Sequence, residues 1–132
     1  MDREPTPWQD RKFFVTGANG QLGRMLVKQL CKEVGKERVF ATDLGDAKFD
    51  FPCRYETLDV TDGDRFKRLV EESKSDTILH LAAILSAVGE KNPQRALDVN
   101  VKSTISAVNI ANDNYCRLLF PSTIATFGGN AF

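Results

Sequence analysis

The residues with the clearest capacity for chemistry are three glycines, Gly17, Gly20 and Gly23. They sit three apart, where the apolar run Phe13-Phe14-Val15-Thr16 gives way to an amphipathic stretch. A chain that passes from strand to helix through such a loop offers its backbone to an anion. Gly17 can take positive φ on leaving the strand, Gly20 lets the backbone approach a pyrophosphate, and Gly23 lets the new helix lie close on the sheet. Gly20, Gln21, Leu22 and Gly23 are then cofactor-binding residues, with the phosphates over the free N–H groups at the helix start, where the helix macrodipole also favours negative charge. Turns use glycine for steric reasons alone, so the triplet takes its meaning from its surroundings in the chain. Twenty residues beyond Gly23 stands Asp43, at the end of the β-branched and aromatic run Arg38-Val39-Phe40-Ala41-Thr42. An acid there accepts hydrogen bonds from both ribose hydroxyls of a dinucleotide and repels a 2′-phosphate, which selects NAD over NADP. The other reading of Asp43 is a turn aspartate opening Asp43-Leu44-Gly45-Asp46.

Other reactive side chains are sparse. His80 is the only histidine and tempts as a base, yet it lies in the apolar run Thr77-Ile78-Leu79-His80-Leu81 and reads as a core histidine. The three cysteines, Cys31, Cys53 and Cys116, are odd in number, far apart in sequence and without neighbouring histidines, so neither a disulfide framework nor a metal site is indicated. A reducing compartment fits them. With 18 basic and 18 acidic residues the chain has no excess charge to draw nucleic acid or an anionic membrane. No apolar run approaches the ~20 residues needed to cross a bilayer. The start Met1-Asp2-Arg3-Glu4-Pro5-Thr6-Pro7-Trp8 has two acids and two prolines and resembles no targeting peptide.

The elements that must position these residues alternate in type, the pattern of crossover units around a parallel sheet. Residues 1–11 read as a tail and 12–132 as a partial NAD-binding domain. Strand one is 12–16. Helix one runs 20–34, with Leu22, Met25, Leu26, Gln29 and Leu30 as its inward face and Gly35 as its stop. Strand two is 38–42 and strand three 54–58, leading into Asp59-Val60. Thr61 and Asp64 fit a capping box for a helix with Phe66, Leu69 and Val70 inward. Strand four is 77–81. Asn92-Pro93 opens a helix that continues through Leu97, Val101, Ile105 and Val108 to about 113. Strand five is 117–120 and delivers Pro121-Ser122-Thr123. The fold class is α/β, a doubly wound parallel sheet (Rossmann fold), incomplete, with about five strands.

Together, Gly17-x-x-Gly20-x-x-Gly23, Asp43, Leu58-Asp59-Val60, His80-Leu81-Ala82-Ala83, Asp98-Val99-Asn100 and Pro121-Ser122-Thr123 resemble the extended short-chain dehydrogenases, which include nucleotide-sugar epimerases and dehydratases. The run 83–93, with its Leu85-Ser86-Ala87-Val88-Gly89-Glu90, followed by 121–128, is similar to the short-chain type of L-threonine 3-dehydrogenase. This resemblance implies NAD as cofactor and L-threonine as substrate. It places Asp59 and Val60 beside the adenine, Leu81, Ala82 and Ala83 along the cofactor, and Asn100 in a buried bonding role to neighbouring strands or loops. It places Ser86 near the amino acid, with Thr123 and Ser122 as hydroxyls at the reacting carbon. Read from the residues alone, these remain open as a strand end, core packing, a solvated helix position, and turn or capping hydroxyls.

Short-chain dehydrogenases take the substrate proton with a Tyr-x-x-x-Lys pair on one helical face. Tyr55 and Tyr115 are followed four positions on by Asp59 and Leu119, so the sequence contains no such pair. It also contains no counterpart of the family's later strands or of its substrate domain. The expectation is a chain that binds NAD without turning over substrate, with apolar surface and a strand edge left uncovered. The family's homodimer uses a helix that is absent here. The resemblance implies the mitochondrial matrix for a eukaryotic source and the cytoplasm for a bacterial one. The competing readings are part of a nucleotide-sugar epimerase or dehydratase, and a non-enzymatic NAD-binding module.

Overall fold

A computed structural model of the chain describes residues 5–122. Five strands, β1 (Phe13–Thr16), β2 (Val39–Asp43), β3 (Arg54–Thr57), β4 (Thr77–His80) and β5 (Arg117–Leu119), form one sheet in the order β3-β2-β1-β4-β5. All four pairings are parallel, with Phe14 opposite Phe40 on one side and Ile78 on the other. β1 is central and buried along its whole length, as a strand covered on both faces must be. The chain runs outward from β1 to β2 and β3, then returns to place β4 on β1's other flank. The gap between the ends of β1 and β4 is therefore the topological switch point, where open α/β sheets bind ligands.

Two apolar layers hold the sheet. Phe13, Val15, Val39 and Ala41 pack under helix α1 (Gln21–Val34) through Val27, Leu30 and Val34. Phe14, Phe40 and Ile78 pack on the other face against Phe66, Leu69 and Val70 of α2 (Gly63–Ser73) and Ala107, Ile110 and Ala111 of α5 (Ser103–Asp113). Two short helices, α3 (Ser86–Gly89) and α4 (Pro93–Leu97), lie between β4 and α5. In the N-terminal segment, Trp8–Asp10 forms a 3₁₀ turn. The Trp8 ring lies 5.0 Å from Phe13, and Arg38 Nη1 donates to the Asp10 carbonyl at 2.6 Å.

Three local expectations are corrected. Helix α1 buries Gly23, Val27, Leu30 and Val34, whereas Leu22 and Met25 are exposed and Gln29 faces solvent. The close approach at Gly23 decides which face meets the sheet, and counting large apolar residues misses that. The cap of α2 is Asp62, whose carboxylate accepts from the Arg65 N–H at 3.1 Å, in place of a Thr61/Asp64 box. Thr61 is engaged with Asp59 instead, which accepts from both its N–H and its hydroxyl. The helix expected from Asn92 to 113 is interrupted by a π turn over Asp98–Lys102. Its burial phase is Val99, Ser103, Ala107, Ile110 and Ala111, so Leu97, Val101, Ile105 and Val108 form an exposed apolar row. The start at Asn92 is as expected, its side chain accepting from the Arg95 N–H at 3.1 Å.

Candidate functional site

The glycine loop has a different physical demand at each glycine. Gly17 has φ +71°, and a Cβ there would lie 2.7 Å from Ala82 N and from the Leu81 carbonyl carbon. Gly23 lies so close to the loop that a Cβ would come within 2.1 Å of the Gly17 oxygen. Gly20 has ordinary backbone angles, φ −70° and ψ 167°, and a Cβ there would meet a single atom at 3.3 Å. The protein's own packing thus requires glycine at 17 and 23 far more than at 20.

Helix α1 begins directly after this loop with no side-chain cap and no acid in its first turn. Among the described residues, no acceptor outside the helix takes the N–H groups of Gln21, Leu22 and Gly23. Uncapped donors at a helix start suit an anion.

The end of β2 is bonded to the loop, and the chain leaving β3 and β4 is bonded in turn to the ends of β2 and β1. The Ala18 N–H donates to the Thr42 carbonyl at 3.0 Å, and the Asn19 N–H donates to Asp43 Oδ2 at 2.8 Å. The other Asp43 oxygen takes the Leu44 N–H at 2.7 Å, so the carboxylate is oriented yet keeps free lone pairs. The Leu58 N–H donates to the Asp43 carbonyl at 2.7 Å, which carries Asp59 and Val60 out of β3 alongside Asp43. From β1, the buried Thr16 Oγ1 accepts the N–H groups of Leu81 and Ala82, each at 3.1 Å.

A cavity of about 210 Å³ opens between these ends, lined by Gly17, Gly20, Asp43, Asp59, Val60, Leu81, Ala82 and Ala83 together with Arg95 and Val99. A second, of about 480 Å³, continues from Gly17 and Gly20 along Gln21, Leu22, Gly23, Leu81, Ala83 and Leu85 to Pro121. The two share four residues and form one cleft across the switch point. Eleven of the twelve residues expected to hold the cofactor line it.

Asn100 is the exception. It is exposed rather than buried, and its side chain accepts from the Ile84 N–H at 2.7 Å and donates to the Ile84 carbonyl at 2.9 Å, so it acts on the cleft by holding the loop after β4. Ser86 begins α3 immediately after Leu85. Ser122 is exposed, following Pro121, and Thr123 lies outside the described residues.

Sequence reasoning did not single out Thr16, Asn19, Tyr55 or Arg95. Asn19 clamps the loop after β2, donating to the Asp46 carbonyl at 3.0 Å and to the Tyr55 hydroxyl at 3.1 Å while accepting from the Lys48 N–H at 2.9 Å. Arg95 pairs with Asp59 at 3.0 Å. Burial alone would raise the Asp59 carboxyl, but the Thr61 hydroxyl, the Thr61 N–H and the Arg95 guanidinium outweigh it and hold the group below the ordinary carboxylate range. His80 is a core histidine, its ring bonded to Thr16 at 2.8 Å and Ser103 at 3.0 Å. Among the described residues, no group of three or more His, Cys, Asp or Glu could hold a metal ion.

The profile of the NAD dependent epimerase/dehydratase family matches residues 13–132. The chain belongs to that family. An uncharacterized epimerase/dehydratase of Staphylococcus aureus (strain USA300) is 40% identical over 122 residues, which are 89% of this chain and 38% of the relative. L-threonine dehydrogenase from Clostridium difficile superimposes with a TM-score of 0.85 at 37% identity, covering 91% of this chain and 39% of that one. L-threonine 3-dehydrogenase from Trypanosoma brucei gives 0.84 at 37%, covering 89% and 38%. The chain thus spans under two-fifths of the length of the epimerase/dehydratase relatives it matches. Among the described residues no helix is long and apolar enough to cross a membrane.

Proposed function

We propose that this epimerase/dehydratase chain is the NAD-binding part of an oxidoreductase of the L-threonine 3-dehydrogenase type. The observation that carries the nucleotide reading is the contrast at the glycines. Gly17 and Gly23 are dictated by packing, while Gly20 leaves room above an uncapped helix start where a pyrophosphate would lie. The residues fit the group: Asp43, at the neighbouring strand end, keeps lone pairs for ribose hydroxyls, and Leu81, Ala82 and Ala83 offer small or apolar surface along the cleft. When bound, NAD supplies the hydride acceptor. The chain's own residues bind and orient it.

The threonine reading is supported by the Leu85-Ser86-Ala87 and Gly89-Glu90 segment beside the cleft and by the likeness to threonine dehydrogenases. In that reading the whole protein oxidises L-threonine to 2-amino-3-oxobutanoate, Ser86 contacts the amino acid, and Ser122 and Thr123 hydrogen-bond the reacting oxygen. With no Tyr-x-x-x-Lys in the sequence, the 132 residues alone hold cofactor without turnover. The exposed row Leu97, Val101, Ile105 and Val108 is assigned to a surface covered in the whole protein. The compartment follows the same resemblance, the mitochondrial matrix or the cytoplasm according to source.

Competitive titration with NAD and NADP tests the cofactor assignment. Wild type should prefer NAD, and Asp43→Ala should weaken NAD about tenfold or more while narrowing the preference. Equal affinities for the two cofactors in a folded wild type would refute the role of Asp43.

A further inference from the structure

A groove of about 760 Å³ runs along α1 opposite residues 49–52, the segment that leads into β3. It shares only Met25 with the nucleotide cleft. One wall is basic. Arg24, Lys28 and Lys32 follow one another at successive turns of α1, and Lys36 stands just past its end. Like charges one turn apart repel, so this row works against the helix that carries it. Cations elsewhere on the surface are paired, Arg38 with Asp10, Arg54 with Glu56 and Glu72, and Lys67 with Asp113. Among the described residues none of the four groove cations has an ion-pair partner, Asp50, the one carboxylate lining the groove, included.

The other wall is apolar. Phe51 packs half-buried on the layer under α1, stacks on Tyr55 at 5.3 Å and meets the exposed Phe49 edge-on at 6.2 Å. Pro52 and Cys31 continue this surface, and the methylene stems of the lysines add to it. The Arg24 guanidinium lies over the Phe49 ring, 4.9 Å from its centre, which holds the fork in place and leaves its donors free. Such a fork takes a carboxylate through two parallel hydrogen bonds, and its place near the start of α1 favours negative charge.

The two walls ask for different things of one occupant. A neutral apolar molecule would leave the cations unanswered, and a small inorganic anion would leave the aromatic wall in water. An acid group on an extended apolar body satisfies both.

We propose that this groove is a second binding site, for a free carboxylate carrying an extended alkyl chain, with the acid group on Arg24 and Lys28 and the chain against Phe51, Pro52 and Cys31. The site is separate from the nucleotide cleft and does not depend on the NAD reading.

The test is an amide NMR titration of the folded chain with decanoate below its micelle concentration, beside decanol and acetate, with thermal midpoints recorded for each variant. Decanoate should saturate with shifts centred on Met25, Cys31, Phe49 and Phe51, at least about tenfold more tightly than decanol, and acetate should bind far more weakly than either. Arg24→Gln should bring decanoate to within about threefold of decanol while leaving decanol unchanged, and Arg24→Lys, which keeps the charge and loses the fork, should fall between. Equal affinity of wild type for decanoate and decanol, shifts confined to the cleft at Gly20, Leu22 and Ala83, or no saturable binding of decanoate would each overturn the proposal. So would an Arg24→Gln protein that keeps the wild-type preference.

Discussion

His80 Nδ1 lies 2.8 Å from Thr16 Oγ1, and this one contact sets the protonation state of the only histidine. Thr16 Oγ1 already accepts the N–H groups of Leu81 and Ala82, so its own hydrogen goes to Nδ1. The ring proton is then on Nε2, donated at 3.0 Å to Ser103 Oγ, whose hydroxyl donates to the Val99 carbonyl. The network is complete with His80 neutral, and a second ring proton would meet a Thr16 oxygen with no lone pair left for it. Burial in this setting pushes the His80 pKa down to about 4.

Stability therefore depends on pH with a definite sign. The unfolded chain takes up the proton near 6.5 and the folded chain near 4, so the stabilisation is complete above pH 6.5 and is lost as pH falls toward 4. The full loss is about 3 kcal/mol. Denaturant midpoints measured across this window should fall more steeply for wild type than for His80→Gln, which lacks the titration. Parallel slopes would contradict the assignment.

The glycines separate stability from binding. Gly17→Ala forces a side chain into positive φ and against backbone, and Gly23→Ala drives a Cβ into the Gly17 carbonyl. Both should cost about 2 kcal/mol or more. Gly20→Ala should stay within about 1 kcal/mol of wild type, since its backbone angles suit alanine and its one contact, with the Gly17 carbonyl oxygen at 3.3 Å, asks for a shift of only a few tenths of an ångström. Thermal denaturation of the three variants checks the order.

Asn100 should act through the loop after β4. Asn100→Asp keeps the acceptor for the Ile84 N–H but sets an anion against the Ile84 carbonyl. The expected cost is about 1 kcal/mol, with faster hydrogen exchange at the Ile84 amide and little change in α1. Exchange at Ile84 equal to that of wild type would show that the pair does not hold the loop.

How much of the fold and cleft is legible in the sequence depends on where the physical demand lies. Gly23 answers to the loop five and six residues before it and Gly17 to its own positive φ as well as to the distant Leu81 and Ala82, and the local part of each demand is visible in the spacing. The alternation of strands and helices is visible for the same local reason, as is the Asn92 cap. The inward face of α1 is not, because contact at Gly23 is decided by the absence of a side chain. The π turn at Asp98–Lys102 is also hidden. It satisfies Asn100 against Ile84 and Ser103 against His80, partners 16 and 23 residues away. The Arg95–Asp59 pair spans 36 residues and leaves no local pattern at either end.

The central claim is that the cleft over Gly20 holds the pyrophosphate of NAD, and calorimetric titration of wild type and Gly20→Ala with NAD tests it most directly. The account predicts saturable binding to wild type and at least tenfold weaker binding to Gly20→Ala at nearly unchanged thermal stability. Equal affinity in the two folded proteins, or no binding to folded wild type, would contradict it.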